Sequence, residues 1–181
     1  KGITIAYAES INALPKNLQE VRPHLFVAVP RVYEKLLSRV NEAVAAGSPL
    51  RQKLFHWAVD VGRRSVPYRL KQQKPSGLLG LQLALADKLV FGKIKARLGG
   101  RFELALSGGA PLGRDVAEFF WGAGVPIYEG YGLSETSPVI TVNCPSGAKL
   151  GTVGRAVERV QMKIASDGEI LAQGPNIMKG Y

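Results

Sequence analysis

Apolar and polar positions follow two periods along the first hundred residues. Leu25-Phe26-Val27-Ala28-Val29 is a continuous apolar run stopped by Pro30. That pattern suits a strand buried on both faces of a parallel sheet. Val32, Leu36, Leu37, Val40 and Val44 then recur at spacings of three and four, which predicts a helix closed by Gly47-Ser48-Pro49. Upstream, Leu14-Pro15-Lys16-Asn17-Leu18 predicts a brief helix with proline in its first turn. Ile3–Ala6 reads as a short strand following a strand-like opening at Lys1-Gly2. Residues 50–98 predict two further helices. The first spans Leu50 to Gln73, with Pro67 as a candidate break, and the turn is Lys74-Pro75-Ser76-Gly77. The second aligns Leu78, Leu81, Leu85, Leu89, Ile94 and Leu98 along one side, and Gly99-Gly100 ends it.

The pattern then changes. Phe102–Leu106 predicts a strand, Ser107-Gly108-Gly109-Ala110-Pro111 a glycine-bearing loop, Arg114–Trp121 a helix and Val125–Tyr128 another strand. Strand, loop, helix and strand in that order build a doubly wound sheet, in which ligands bind at the carboxyl ends of strands. Ser107–Pro111 and Glu129–Thr136 both fall at such ends. Beyond Ser137 the segments shorten: Val139–Val142, Thr152–Val153, Val160–Ile164 and Glu169–Ala172 are candidate strands, with a tight turn at Ser166-Asp167-Gly168. The predicted class is α/β. A partial parallel sheet flanked by helices occupies residues 1–138, including a basic helical insertion over 50–98, and a small β-lobe starts at 139–181.

Composition narrows the classes. The 181 residues are 46% apolar and 21% charged, with 21 Gly and 11 Pro, which excludes disordered, collagen-like and disulfide-stapled chains. No apolar run reaches about 18 residues, so no segment is expected to span a membrane. Cys144 is the only cysteine, which excludes an internal disulfide and points to a reducing, cytoplasmic setting. One cysteine with the distant His24 and His56 cannot make a structural zinc site. The chain does not begin with Met, and the expectation is an internal piece of a longer polypeptide.

Charge changes the picture more. Net charge is +10, and residues 51–101 hold twelve basic and two acidic groups. A solvated helical face explains this, as does attraction to an anionic membrane surface or a polyphosphate ligand. Nucleic acid is not expected as a partner, because neither a zinc finger nor an RNP-like aromatic strand accompanies the basic run.

Two segments carry candidate chemistry. Gly108 and Gly109 after a strand let backbone approach a planar or anionic ligand, but alone they are a weak signal that a simple tight turn explains more readily. Neither Gly-Lys-Ser/Thr nor G-x-G-x-x-G is present. In Glu129-Gly130-Tyr131-Gly132-Leu133-Ser134-Glu135-Thr136 an aromatic ring suited to stacking on a base sits between glycines. Beside it stand a hydroxyl suited to a phosphate oxygen and a carboxylate suited to Mg²⁺. A glycine-rich loop with a helix cap at Ser134 is the alternative. A serine hydrolase is not expected, since Gly132–Thr136 lacks the closing glycine of G-x-S-x-G.

Taken together and in order, these residues resemble the AMP-forming acyl-adenylate ligase superfamily. Tyr131-Gly132-Leu133-Ser134-Glu135-Thr136 is similar to its Tyr-Gly-x-Thr/Ser-Glu motif, and Ser107–Leu112 to its adenine-side loop. Gly151-Thr152-Val153-Gly154-Arg155 and Gly168-Glu169-Ile170 through Gly180-Tyr181 resemble its later segments. Within the superfamily, Val29-Pro30-Arg31-Val32-Tyr33-Glu34-Lys35 and the long helical insertion are similar to long-chain fatty-acid–CoA ligases.

The resemblance implies that a fatty carboxylate attacks the α-phosphate of ATP, releasing pyrophosphate, and that the thiol of coenzyme A then displaces AMP. It implies Glu135 as Mg²⁺ ligand and, with Ser134 on phosphate, as the catalytic pair. Tyr131 would stack on adenine opposite Gly108, Gly109, Ala110 and Pro111, with Glu129 and Gly130 lining the nucleotide pocket. Gly132 would sit where the acyl chain meets the nucleotide. Ser134 stands where many members carry Thr. The superfamily's phosphate loop, its Thr-Gly-Asp and its C-terminal catalytic Lys are not in the sequence, so the chain alone is expected to be inactive. Two rival readings are an adenylating enzyme for an aryl or amino acid and a non-catalytic module docking on anionic membrane, peripheral at its inner face.

Overall fold

The computed structural model describes residues 2–181. Its elements run α1 Leu14–Val21, β1 Leu25–Ala28, α2 Pro30–Ala45, α3 Pro49–Leu70, α4 Gly77–Ala86, α5 Gly92–Arg97, β2 Leu104–Ser107, α6 Arg114–Gly122, β3 Ile127–Gly132, β4 Val139–Val142, β5 Arg155–Ala156, β6 Gln161–Ile164 and β7 Ile170–Gln173. Five strands form one mixed sheet in the order β1-β2-β3-β4-β5. β1, β2 and β3 are parallel, and β4 and β5 are antiparallel to their neighbours. β6 and β7 form a separate antiparallel pair. The α/β class with flanking helices holds. The sheet crosses residue 138, because β4 hydrogen bonds to β3.

Pro30 both ends β1 and starts α2, where its missing N–H is one that no helical carbonyl needs. Ser48 accepts the Arg51 N–H at 3.4 Å and caps α3. α3 lies against α6, and the crossing is tight. A Cβ added to Gly62 would sit 3.1 Å from the Gly122 carbonyl oxygen, and one added to Gly122 2.8 Å from the Gly62 carbonyl carbon. The core between helices and sheet is aromatic. Tyr33 is 1% exposed, stacks edge-on against Phe26 and Phe120 at 5.7 and 5.9 Å, and donates its hydroxyl to the Leu106 carbonyl at 2.7 Å. Burial pushes that phenol well above its ordinary pKa.

Several expectations are corrected. Ile3–Ala6 is not a strand, since no neighbouring strand offers it a ladder; Lys1 lies outside the described residues. β1 is not buried on both faces: Phe26 and Ala28 pack on the core, while Leu25 and Val27 on the other face are 47% and 66% exposed. Pro67 does not break α3, which continues to Leu70. The leucine side expected over 78–98 is divided. Leu78, Leu81 and Leu85 face outward, while Ala86, Phe91, Ile94 and Leu98 are buried. A π-helical turn over Asp87–Phe91 inserts an extra residue and rotates the buried face. Thr152–Val153 is loop, and the strand there is Arg155–Ala156. Gly130-Tyr131-Gly132 is strand rather than loop.

Candidate functional site

Parallel pairing brings the carboxyl ends of β1, β2 and β3 to one edge. Ala28 pairs with Ser107, and Ser107 with Glu129. The chain leaves β2 through Gly108, whose N–H reaches back to the Ala28 carbonyl at 3.4 Å. A Cβ on Gly108 would lie 3.6 Å from the Gly130 carbonyl oxygen, and one on Gly109 3.7 Å from Val29. Gly108, Gly109, Glu129 and Gly130 therefore meet at the carboxyl edge of the parallel strands. Gly109 adopts φ +85°, a conformation glycine supplies without strain. Ala110 and Pro111 continue the loop on the surface.

Glu129 is 7% exposed. Its Oε2 accepts the Leu112 N–H at 3.2 Å, and its carbonyl accepts the Asn143 N–H at 2.8 Å. The side chain thus ties the glycine loop to β3, while the backbone ties β3 to the chain leaving β4. Ser107, 3% exposed, keeps a buried hydroxyl with no hydrogen-bond partner among the described residues.

Past Glu129 the strand continues because β4 pairs with it. Gly130 faces Val142 and Tyr131 faces Thr141, with a bulge between Tyr131 and Gly132. Tyr131 is half-buried. It shares a strand face with Glu129. Gly132 has a reason of its own. A Cβ there would fall on the Pro138 carbonyl oxygen, 2.7 Å from the Pro138 carbonyl carbon and 2.9 Å from Val139 Cα. The close return of the chain demands glycine at 132 independently of any acyl group.

Ser134 and Glu135 lie in a single 3₁₀ turn, Ser134–Thr136, with Ser134 exposed and Glu135 half-exposed. Thr136, 5% exposed, shapes the turn. Its Oγ1 accepts the Leu133 N–H at 2.9 Å and donates to the Pro138 carbonyl at 2.7 Å. The Glu135 Oε1 accepts the Tyr181 hydroxyl at 2.8 Å. Its own backbone amide and that hydroxyl hold the carboxyl below its ordinary pKa. No hydrogen bond joins Ser134 or Glu135 to Gly108–Pro111 among the described residues. The motif thus divides into a half-buried strand part and a turn that exposes Ser134 while burying Thr136.

One carboxylate with a neighbouring hydroxyl fits Mg²⁺ only as a contributor. That ion keeps several waters and is commonly held by one or two carboxylates plus substrate phosphates. Among the described residues, no group of three or more His, Cys, Asp or Glu could hold a metal.

Three positions escaped the sequence reading. Thr136 was seen only as the end of a motif. Asn176 donates Nδ2 to the carbonyls of Thr136 and Val139 at 2.7 and 3.0 Å. Asn143 accepts the Lys149 N–H at 3.1 Å and donates to the Thr152 carbonyl. Asn143 and Asn176 each stand beside an apolar stretch, the one signal available, and Thr136, between Glu135 and Ser137, has none.

Known proteins share this chain's sequence and fold. The family described as AMP-binding enzyme matches residues 1–181. The long-chain-fatty-acid–CoA ligase FadD15 of Mycobacterium tuberculosis is 36% identical over 99% of this chain and 29% of its own length. The long-chain-fatty-acid–CoA ligase ACSBG2 of Xenopus laevis is 34% identical over 93% of this chain and 23% of its own. The chain thus spans under a third of these relatives. Among solved structures, a benzoate CoA ligase from Burkholderia xenovorans shares the fold with a TM-score of 0.56 at 18% identity, covering 97% of this chain and 28% of that one. The O-succinylbenzoate coenzyme A synthetase of Bacillus subtilis, in complex with ATP and magnesium ion, scores 0.53 at 18% identity over 95% and 27%.

Proposed function

This chain belongs to the AMP-binding enzyme family, and from that premise we propose that it forms the central nucleotide-binding part of a long-chain fatty-acid–CoA ligase. The observation that carries the reading is the meeting of Gly108, Gly109, Glu129 and Gly130 at the carboxyl edge of the parallel strands. That edge is where open α/β sheets bind ligands. The substrates are a long-chain fatty acid, ATP and coenzyme A. Gly108–Pro111 and Gly130 present backbone to the adenine, with Tyr131 on its other side. Glu129 lines the pocket and fixes the loop through Leu112. Ser134 holds a phosphate oxygen, and Gly132 keeps the passage to the acyl group open. Glu135 supplies a ligand to Mg²⁺, whose charge offsets that of the phosphates.

The segments 107–113 and 129–137 contain no Lys or Arg. Neutralising the phosphates therefore needs cationic groups from beyond these loops. Residues 1–181 by themselves are taken to form no acyl-CoA, because the superfamily's phosphate loop and C-terminal catalytic Lys are not among them. A cytoplasmic setting, with the basic helices of residues 50–98 resting on anionic membrane, completes the reading. Among the described residues no helix is long and apolar enough to cross a membrane.

The test is fatty-acid-dependent exchange of pyrophosphate into ATP by the polypeptide that carries this chain, with palmitate, benzoate and amino acids compared. Palmitate should lead, and Glu135→Gln should lower the rate roughly 10²- to 10³-fold, as expected for an electrostatic group at a developing charge. Benzoate or an amino acid leading would select the aryl or amino-acid reading, which the benzoate CoA ligase fold keeps in view. No exchange with any acid would leave the membrane module.

A further inference from the structure

A cavity of about 270 Å³ opens among the helices. Its walls are apolar: Leu36 and Val40 from α2, Leu54 and Phe55 from α3, and Leu89 and Ile94 from the π-helical turn and α5. Four cationic side chains also line it, Arg39, Arg51, Lys93 and Arg97, and no carboxylate does. Among the described residues none of the four forms an ion pair. Lys95, close by in sequence, pairs with Asp87 at 2.5 Å.

This cavity is not the strand-edge site. α2 leaves that edge at Pro30. At 1.5 Å per residue, Leu36 lies about 9 Å along the helix and Val44, also in the lining, about 21 Å. The two sites therefore lie at different depths along the same helix.

The lining sets the ligand. Apolar walls offer water too few hydrogen-bond partners and forfeit dispersion contacts while the space is open. Four like charges around the space create a local potential that attracts an anion. One molecule answers both conditions if it carries an alkyl chain and an anionic head. The volume lies just under the ~300 Å³ at which drug-sized sites begin, which suits one chain and not two. We propose that this cavity binds a single-chain fatty carboxylate, its tail between α2, α3 and α5 and its carboxylate among Arg39, Arg51, Lys93 and Arg97. The proposal does not rest on the ligase reading, because it uses none of the strand-edge residues.

The probe is a sixteen-carbon fatty acid with a diazirine near its methyl end, photolysed on the polypeptide that carries this chain and mapped by peptide mass. Label is expected on α2, α3 and residues 89–98. Ala43→Trp, which fills the space, should reduce that label at least several-fold. Arg39→Glu combined with Arg97→Glu, which leaves the space intact, should weaken competition by palmitate roughly tenfold while leaving competition by hexadecanol unchanged. If Ala43→Trp loses its cooperative melt, the charge-reversed variant decides alone. Label confined to residues 129–139 would overturn the proposal. So would label indifferent to the charge-reversed variant, or none on α2 and α3 because other residues of the polypeptide fill the space.

Discussion

Gly132→Ala is the substitution whose outcome the structure fixes most firmly. The added methyl would coincide with the Pro138 carbonyl oxygen and lie 2.7 Å from its carbon and 2.9 Å from Val139 Cα. All three neighbours are backbone, so no side-chain rotation relieves the overlap. Either β3 or the 137–139 return must move, and with it the Thr136 hydroxyl that bridges Leu133 and Pro138. Overpacking in a well-filled interior costs about 1–3 kcal/mol when side chains can adjust. Here they cannot, and about 3 kcal/mol is the expected cost. For a chain of this size that lowers the melting temperature by about 6–12 °C. Thermal melts followed by circular dichroism measure the loss, and amide exchange across residues 133–139 locates it. A melting temperature within 2 °C of wild type, with unchanged exchange there, would refute the reasoning and return Gly132 to a purely ligand-based role.

The same substitution at Gly108 should behave oppositely. A methyl there meets nothing closer than 3.6 Å and φ is not positive, so Gly108→Ala should keep or slightly raise the melting temperature while weakening ATP binding in a calorimetric titration. Glu129→Ala removes the acceptor of the Leu112 N–H; a bond to a charged group is worth about 1.5–3 kcal/mol, so that amide should exchange roughly 10- to 100-fold faster, with Glu129→Gln intermediate. Tyr181→Phe leaves Glu135 its own amide but removes the phenolic donor, so the Glu135 pKa, followed by side-chain NMR, should rise part of the way to its ordinary value. Because the folded-state value is depressed, the stabilising contact is present above the ordinary carboxylate pKa and lost as pH falls through the folded one. The order it gives the Tyr181 end should fade in acid in wild type and be missing at all pH values in the variant.

Element positions were legible where one feature ends a segment sharply. Pro30 fixes the end of β1 and the start of α2, and Gly99-Gly100, both at positive φ, ends α5. Faces were harder to read. The apolar run at Leu25–Val29 reports that β1 suits cover on both sides, yet only the face of Phe26 and Ala28 packs on the core, and Leu25 and Val27 on the other face stand 47% and 66% exposed. The leucines of α4 obey helical spacing, but a π-helical turn with no proline or glycine within it changes the phase. Gly130-Tyr131-Gly132 looks like loop by composition. It is strand because β4 approaches so closely, with the Thr141 carbonyl oxygen 3.2 Å from where a Gly130 Cβ would stand. A glycine placed for backbone approach and one placed for a turn are the same letter.

The site was legible as motifs but not as an assembly. Tyr131–Thr136 and Gly168–Tyr181 are separate stretches of sequence, yet the second holds the first in shape. The Met178 N–H donates to the Glu135 carbonyl at 2.8 Å, Asn176 clamps the carbonyls of Thr136 and Val139, and the Tyr181 hydroxyl meets the Glu135 carboxylate. Between 37 and 46 residues separate these partners, and no periodicity links them. The consequence is physical. Glu135 sits on a one-turn 3₁₀ segment that could not hold a carboxylate in place alone, since so short a turn has few hydrogen bonds of its own. Its orientation is supplied by the segment that follows β7. Loosening that segment therefore moves the metal-binding candidate without touching the motif that names it, and substitutions at Asn176 should act on Glu135 from a distance.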